Sequence, residues 1–286
     1  MTTLPGATRQ RFAAVTCYLT SVLAQVAIAG TGRRWIGTAV AAPAGAGGRI
    51  PPTLAFPRDL ASANALLFNF RDSLRKPSRT IYVVDISGSM CLEPGGKDGD
   101  PCAGSGARRI DGLAAALKGL AGARPAVPFA EQVAEFSRGE QVVLPFSDRV
   151  QPPITVNIDR DLAAGQQQVR QVADQLRPAG ATFLYEALRS AYELAANLIQ
   201  SEPDRITSIV LLTDGEANGD KKFGDFRTYF TGLRGTPAGN VRTFSIALGE
   251  ANLGELTDVA SLTAGLAYDT RHDSLTTVFF QIRGYV

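Results

Sequence analysis

The chain has 286 residues, room for one large domain or a domain with an appendage. With 45% hydrophobic and 20% charged residues it has an ordinary globular composition, which excludes a disordered chain, a fibrous repeat and a many-span membrane protein. The net charge of +2 is unevenly spread: residues 1–79 carry ten Lys and Arg against Asp59 and Asp72, a balance of +8, so residues 80–286 sum to −6 and general nucleic-acid binding by that larger segment is excluded.

Residues 1–38 contain an apolar stretch, Phe12 to Ala29, behind Arg9 and Arg11 and ending in Ala27-Ile28-Ala29. It reads either as a secretory signal or anchor, through which residues 12–29 would associate with a membrane, or as an amphipathic helix with Val15, Leu19, Val22, Leu23 and Val26 on one face. Thr16, Thr20, Ser21 and Gln25 interrupt the apolar run. The segment Tyr18-Leu19-Thr20-Ser21, with Ala24-Gln25 and Gly30-Thr31-Gly32-Arg33-Arg34, is similar to the end of a bacterial extracellular solute-binding domain. That resemblance implies a remnant of a domain whose larger part is missing. Residues 39–78 follow as an Ala/Gly/Pro-rich linker up to Pro57 and a packing segment, where Leu66, Leu67, Phe68 and Phe70 are expected to lie on the next domain.

From Arg79 the pattern alternates. Thr80 to Val84 is a β-branched and aromatic run, followed by a helical pattern from Ile110 to Leu120. Val142 to Phe146 and Ile154 to Ile158 are strands close enough to pair as an antiparallel hairpin. Helical periodicity returns at Leu162 to Leu176 and Phe183 to Ile199, then a strand from Ile206 to Thr213. A helix from Asp225 to Leu233, a strand from Val241 to Leu248, a helix from Leu253 to Thr263, a short strand from Leu266 to Tyr268 and a helix from Leu275 to Ile282 complete the series. In the last helix Leu275, Val278, Phe279 and Ile282 form one stripe. The pattern predicts an α/β domain over residues 79–286: a doubly wound, mainly parallel six-stranded sheet with an antiparallel edge strand and helices on both faces.

In such a sheet ligands sit beyond the carboxyl ends of the strands, where the strand order reverses. Two carboxylates stand at such ends, Asp85 in Asp85-Ile86-Ser87-Gly88-Ser89 and Asp214 in Asp214-Gly215-Glu216. A buried acid after an apolar strand is unfavourable unless a cation offsets its desolvation. Asp85, Ser87 and Ser89 alternate so that a turn can aim their oxygens at one point, and Thr182 offers another hydroxyl at the start of a helix. One histidine, His272, and three cysteines cannot build a multi-histidine or four-cysteine zinc site. An all-oxygen set suits Mg2+, with Mn2+ or Ca2+ as alternatives.

Asp85-x-Ser87-Gly88-Ser89, Thr182 in Gly-x-Thr-x-Leu-x-x-Ala-Leu and Thr213-Asp214-Gly215 together resemble the von Willebrand factor type A domain and its metal-ion-dependent adhesion site. The resemblance implies that Asp85, Ser87, Ser89, Thr182 and Asp214 bind the metal, and that a protein partner completes its shell with an Asp or Glu. The expected function is therefore a metal-dependent, adhesion-type binding module, extracellular or associated with the cell envelope, and not an enzyme. The competing readings are a magnesium-dependent phosphohydrolase with Asp85 as nucleophile, and a truncated, non-catalytic remnant of a solute-binding/type A domain protein. Ser87 stands where such a hydrolase usually carries a second aspartate, which counts against the first. No Gly-x-x-x-x-Gly-Lys-Ser/Thr loop or Gly-x-Ser-x-Gly elbow is present.

Two further expectations concern the surroundings of the site. Glu93, Lys97, Asp98 and Asp100 lie in the loop from Cys91 to Cys102, which a Cys91–Cys102 disulfide would close in an oxidising compartment, leaving Cys17 over. The two carboxylates just balance a divalent ion. Asp214→Asn is therefore expected to leave the metal-free protein as stable as before or more so, because two facing acids no longer repel.

Overall fold

The computed structural model describes Ala65 and residues 76–92, 108–120, 139–157, 162–215, 217–249, 251–271 and 275–285. The chain divides into two units, Met1–Pro57 and Arg58–Val286, and every described residue falls in the second. The N-terminal apolar stretch, the linker, Leu66 to Phe70, Glu93 to Asp100, Cys17, Cys102 and His272 lie outside the described residues.

The elements in chain order are β1 (Ser78–Asp85), α1 (Arg109–Leu120), β2 (Gly139–Phe146), β3 (Ile154–Asn157), α2 (Leu162–Gln175) and α3 (Leu184–Ser201). They continue with β4 (Ile206–Thr213), α4 (Phe223–Gly232), β5 (Arg242–Ala247), α5 (Leu253–Leu262), β6 (Ala267–Asp269) and α6 (Leu275–Tyr285). The strands form one sheet in the order β3-β2-β1-β4-β5-β6, all pairs parallel except β3, which runs antiparallel to β2 at the edge. The hairpin and the doubly wound α/β sheet expected from the sequence are both present.

Alternation within the strands builds two cores. In β1, Tyr82 and Val84 face one side with Ile110, Leu113 and Leu117 of α1, Val169 and Val172 of α2, and Val278, Phe279 and Ile282 of α6. Ile81 and Val83 face the other with Leu184, Leu188 and Tyr192 of α3, Phe226 and Phe230 of α4, and Leu256 and Val259 of α5. The predicted stripe of α6 is thus its packing face. Leu188→Ala, at a fully buried position, is expected to lower stability by about 2 to 5 kcal/mol in a urea titration. A loss below 1 kcal/mol would mean that this side of the core closes around the gap.

Strands β1 and β2 begin earlier than their apolar runs. Ser78 pairs with Gly139 and Arg79 with Glu140, so the ladder extends through polar residues. Arg79 is 1% exposed and fully used: Nε donates to Glu140, Nη1 to the Leu198 carbonyl at 3.0 Å and Nη2 to Glu202 at 3.1 Å. Paired charges let residues that look like loop run inside a buried sheet.

Candidate metal centre

The strand order reverses between β1 and β4, whose neighbouring strands and crossovers lie on opposite sides. Asp85 ends β1 and Asp214 follows β4, so both acids sit at that switch point, beyond the carboxyl ends of the strands. After β1 the chain turns through a short 3-10 segment, Gly88–Cys91, which brings the two serines round on one side. The loop before α3 is fastened to this turn, the Gly88 N–H donating to the Gly180 carbonyl at 2.9 Å and the Ala179 N–H to that of Ile86 at 2.8 Å.

The five predicted residues do converge. Ser87 Oγ and Ser89 Oγ are 3.0 Å apart, and Ser89 Oγ donates to Asp214 Oδ1 at 2.8 Å. Thr182 arrives beside them: a Cβ added to Gly215 would lie 3.2 Å from Thr182 Oγ1 and 3.6 Å from Ser89 Oγ. Gly215 therefore leaves both hydroxyls room to face the same point. Thr182 does not cap α3, whose N-cap is Phe183 without a side-chain bond, so its hydroxyl is not committed to the helix end.

Asp85 stands behind the serines. Its Oδ1 accepts the Ser87 N–H at 2.7 Å and its Oδ2 the hydroxyl of Thr213. Asp85, Ser87, Thr182 and Asp214 are each 3% exposed or less, while Ser89 is half-buried at the rim. Burial pushes the Asp85 carboxyl up to about 6; the hydrogen bonds from Thr213 and Ser87 pull it down and the negative charge of Asp214 adds to the rise. Oxygen donors from three loops around two acids fit a hard divalent ion. Among the described residues there is no group of three or more His, Cys, Asp and Glu that could hold a metal ion, so an ion at this centre would need the hydroxyls as well as the two acids.

No protein-family model matches the chain, and no curated protein matches it. Among solved structures, the chain is similar to a von Willebrand factor type A protein from Catenulispora acidiphila, with a TM-score of 0.51 at 15% identity over 73% of this chain and 42% of that one. The fold is that of a von Willebrand factor type A domain. The PilB minor pilin from Streptococcus sanguinis is also similar, with a TM-score of 0.53 at 16% identity over 74% of this chain and 61% of that one. The chain thus spans less than two thirds of the length of these proteins, and the likeness is one of fold.

Two residues at the centre carry no motif. Asn218 locks the Thr182 loop to the loop after β4: its side-chain oxygen accepts the Thr182 N–H at 2.7 Å, and its own N–H donates to the Thr182 carbonyl at 3.0 Å. Arg109, the first residue of α1, donates from Nη1 to Asp214 Oδ2 at 2.7 Å, with both side chains buried. The charge at the site is therefore not that of two carboxylates alone, and the expectation of an uncompensated pair of facing acids is corrected: Asp214 already has a cationic partner. A sequence signal for Arg109 exists in hindsight, since Arg108-Arg109 at a helix start opposes the helix dipole. Arg108 is satisfied locally by Asp111, whereas Arg109 turns inward.

Proposed function

We propose that this domain is a metal-ion-dependent protein-binding module, in which Asp85, Ser87, Ser89, Thr182 and Asp214 hold one divalent cation and a partner's Asp or Glu completes its shell. The observation that carries the reading is the meeting of three loops: the hydroxyls of Ser87, Ser89 and Thr182 and the carboxylate of Asp214 gather at one rim of the switch point, with Asp85 buried behind them. When bound, the ion supplies a Lewis-acidic position for a carboxylate oxygen. The chain's part is positional. Asn218 and the Gly88–Gly180 backbone bond fix the loops relative to each other, so the donors need little rearrangement.

The hydrolase reading is supported less well. Asp85 is fully buried behind the serines, set back from the rim where a substrate would have to meet its nucleophile. The proposed setting is extracellular or at the cell envelope, for Cys91 is disulfide-bonded, as befits an oxidising compartment. Its proposed partner is Cys102, which would close the loop at the rim. Among the described residues no helix is long and apolar enough to cross a membrane.

The test uses Mn2+ as the ion and acetate as a minimal carboxylate. Titration calorimetry should show one Mn2+ site, and acetate should lower the water-proton relaxation of the bound Mn2+ by replacing a coordinated water. Bound Mn2+ whose relaxation is indifferent to acetate would overturn the carboxylate bridge. Turnover of a generic phosphate ester that disappears in Asp85→Asn would replace the binding reading with the hydrolase.

A further inference from the structure

We propose that Arg109 is an internal counter-cation that competes with the divalent ion for Asp214, so that the metal-free site is held closed and the ion is retained strongly only once an acidic partner arrives. This rests on the metal-binding reading above.

Both oxygens of Asp214 carry donors in the present state, Ser89 Oγ on Oδ1 and Arg109 Nη1 on Oδ2. An ion drawn to this carboxylate meets a guanidinium already in place. The two arginines that are buried among the described residues differ in how they are held. Arg79 spends Nε, Nη1 and Nη2 on Glu140, the Leu198 carbonyl and Glu202, as a structural arginine does. Arg109, among the described residues, is hydrogen-bonded through its side chain to Asp214 alone, and its Nε is buried without an acceptor. Such a group is fastened to the site carboxylate rather than to the scaffold.

The scaffold makes room for it from the opposite side. Gly249, after β5, has φ +58°, and a Cβ there would lie 2.5 Å from Arg109 Nε and 2.8 Å from Cζ. At this left-handed φ glycine is favoured, and a side chain here would displace the end of Arg109 from where it reaches Asp214.

The charge count gives the consequence. Asp85 and Asp214 contribute −2 and Arg109 brings the site to −1, so a divalent ion raises it to +1 and a partner carboxylate returns it to zero. Without Arg109 the ion alone would neutralise the site, and an acidic partner would leave it at −1. Arg109 therefore weakens the ion in the free protein and strengthens the coupling between ion and acid.

The experiment titrates Mn2+ into the full chain by calorimetry, for wild type, Arg109→Gln and Gly249→Ala, with Asp85→Ala as control, and records metal-free melting temperatures. Arg109→Gln should bind Mn2+ about tenfold tighter or more, and its metal-free melting temperature should fall. Gly249→Ala, which keeps the charge but drives the guanidinium off Asp214, should shift affinity in the same direction. A folded Arg109→Gln with equal or weaker Mn2+ affinity overturns the proposal. If that variant does not fold, Gly249→Ala decides by the same criterion. Mn2+ binding that appears only in the variants supports it. Binding that Asp85→Ala leaves untouched in every protein, or no binding in any of them, overturns the metal-centre reading itself and this inference with it.

Discussion

Replacing Asp214 by Asn is expected to destabilise the metal-free protein by about 3 kcal/mol, measured by urea unfolding in the presence of a chelator. Arg109 and Asp214 are both buried, and the neutral amide would leave the guanidinium without its counter-charge and its Nη1 with a weaker acceptor. Relief of repulsion between Asp85 and Asp214 works in the other direction. It is the smaller effect, because the Asp214 charge is the last of the causes acting on Asp85, behind burial and the Thr213 and Ser87 hydrogen bonds. This reverses the sequence-based expectation of unchanged or increased stability, which counted two acids and no cation. An Asp214→Asn protein as stable as wild type would mean that Arg109 finds water or another acceptor without loss.

The second large effect is on the ion. Asp85→Ala is expected to weaken Mn2+ by about a thousandfold or more, since two unit charges about 4 Å apart at an effective dielectric of about 20 interact by about 4 kcal/mol and the ion carries two charges. With Arg109 paired to Asp214, removing Asp85 brings the local charge to zero and leaves a dication to compete with Arg109 for the one remaining carboxylate. The chain itself should fold, because removing the buried carboxylate also removes its desolvation cost, which offsets the lost acceptor of the Thr213 hydroxyl and the Ser87 N–H. Retained binding within tenfold of wild type, by the same calorimetry, would place the ion elsewhere.

The fold was readable because its signals are local. Ile206–Thr213 is an apolar β-branched run and a strand over the same residues, and the α6 stripe of Val278, Phe279 and Ile282 is the face that packs. The five oxygen-bearing residues were readable for the same reason: each stands at a strand end or helix start, where α/β geometry gathers ligands. The starts of β1 and β2 were hidden because Arg79, Glu140 and Gln141 look like exposed loop residues until the ion pair between Arg79 and Glu140 is known. Arg109 was hidden for a related reason. Its partner is 105 positions away, and two arginines at a helix start read as a solvated face until one of them turns inward.

The switch point also sets when in the life of the chain a site can exist. Ser89 and Asp214 meet across 125 positions, and Thr213 and Asp85 across 128, because β1, first in sequence, becomes a central strand only when β4 pairs with it. Local helices can form early, but this closure is long-range and belongs to the slow part of folding. A nascent chain that has not yet extended through β4 has Asp85 without Asp214, and Arg109 without its partner. The proposed cation site is thus confined to the finished fold, and incompletely folded molecules do not carry it.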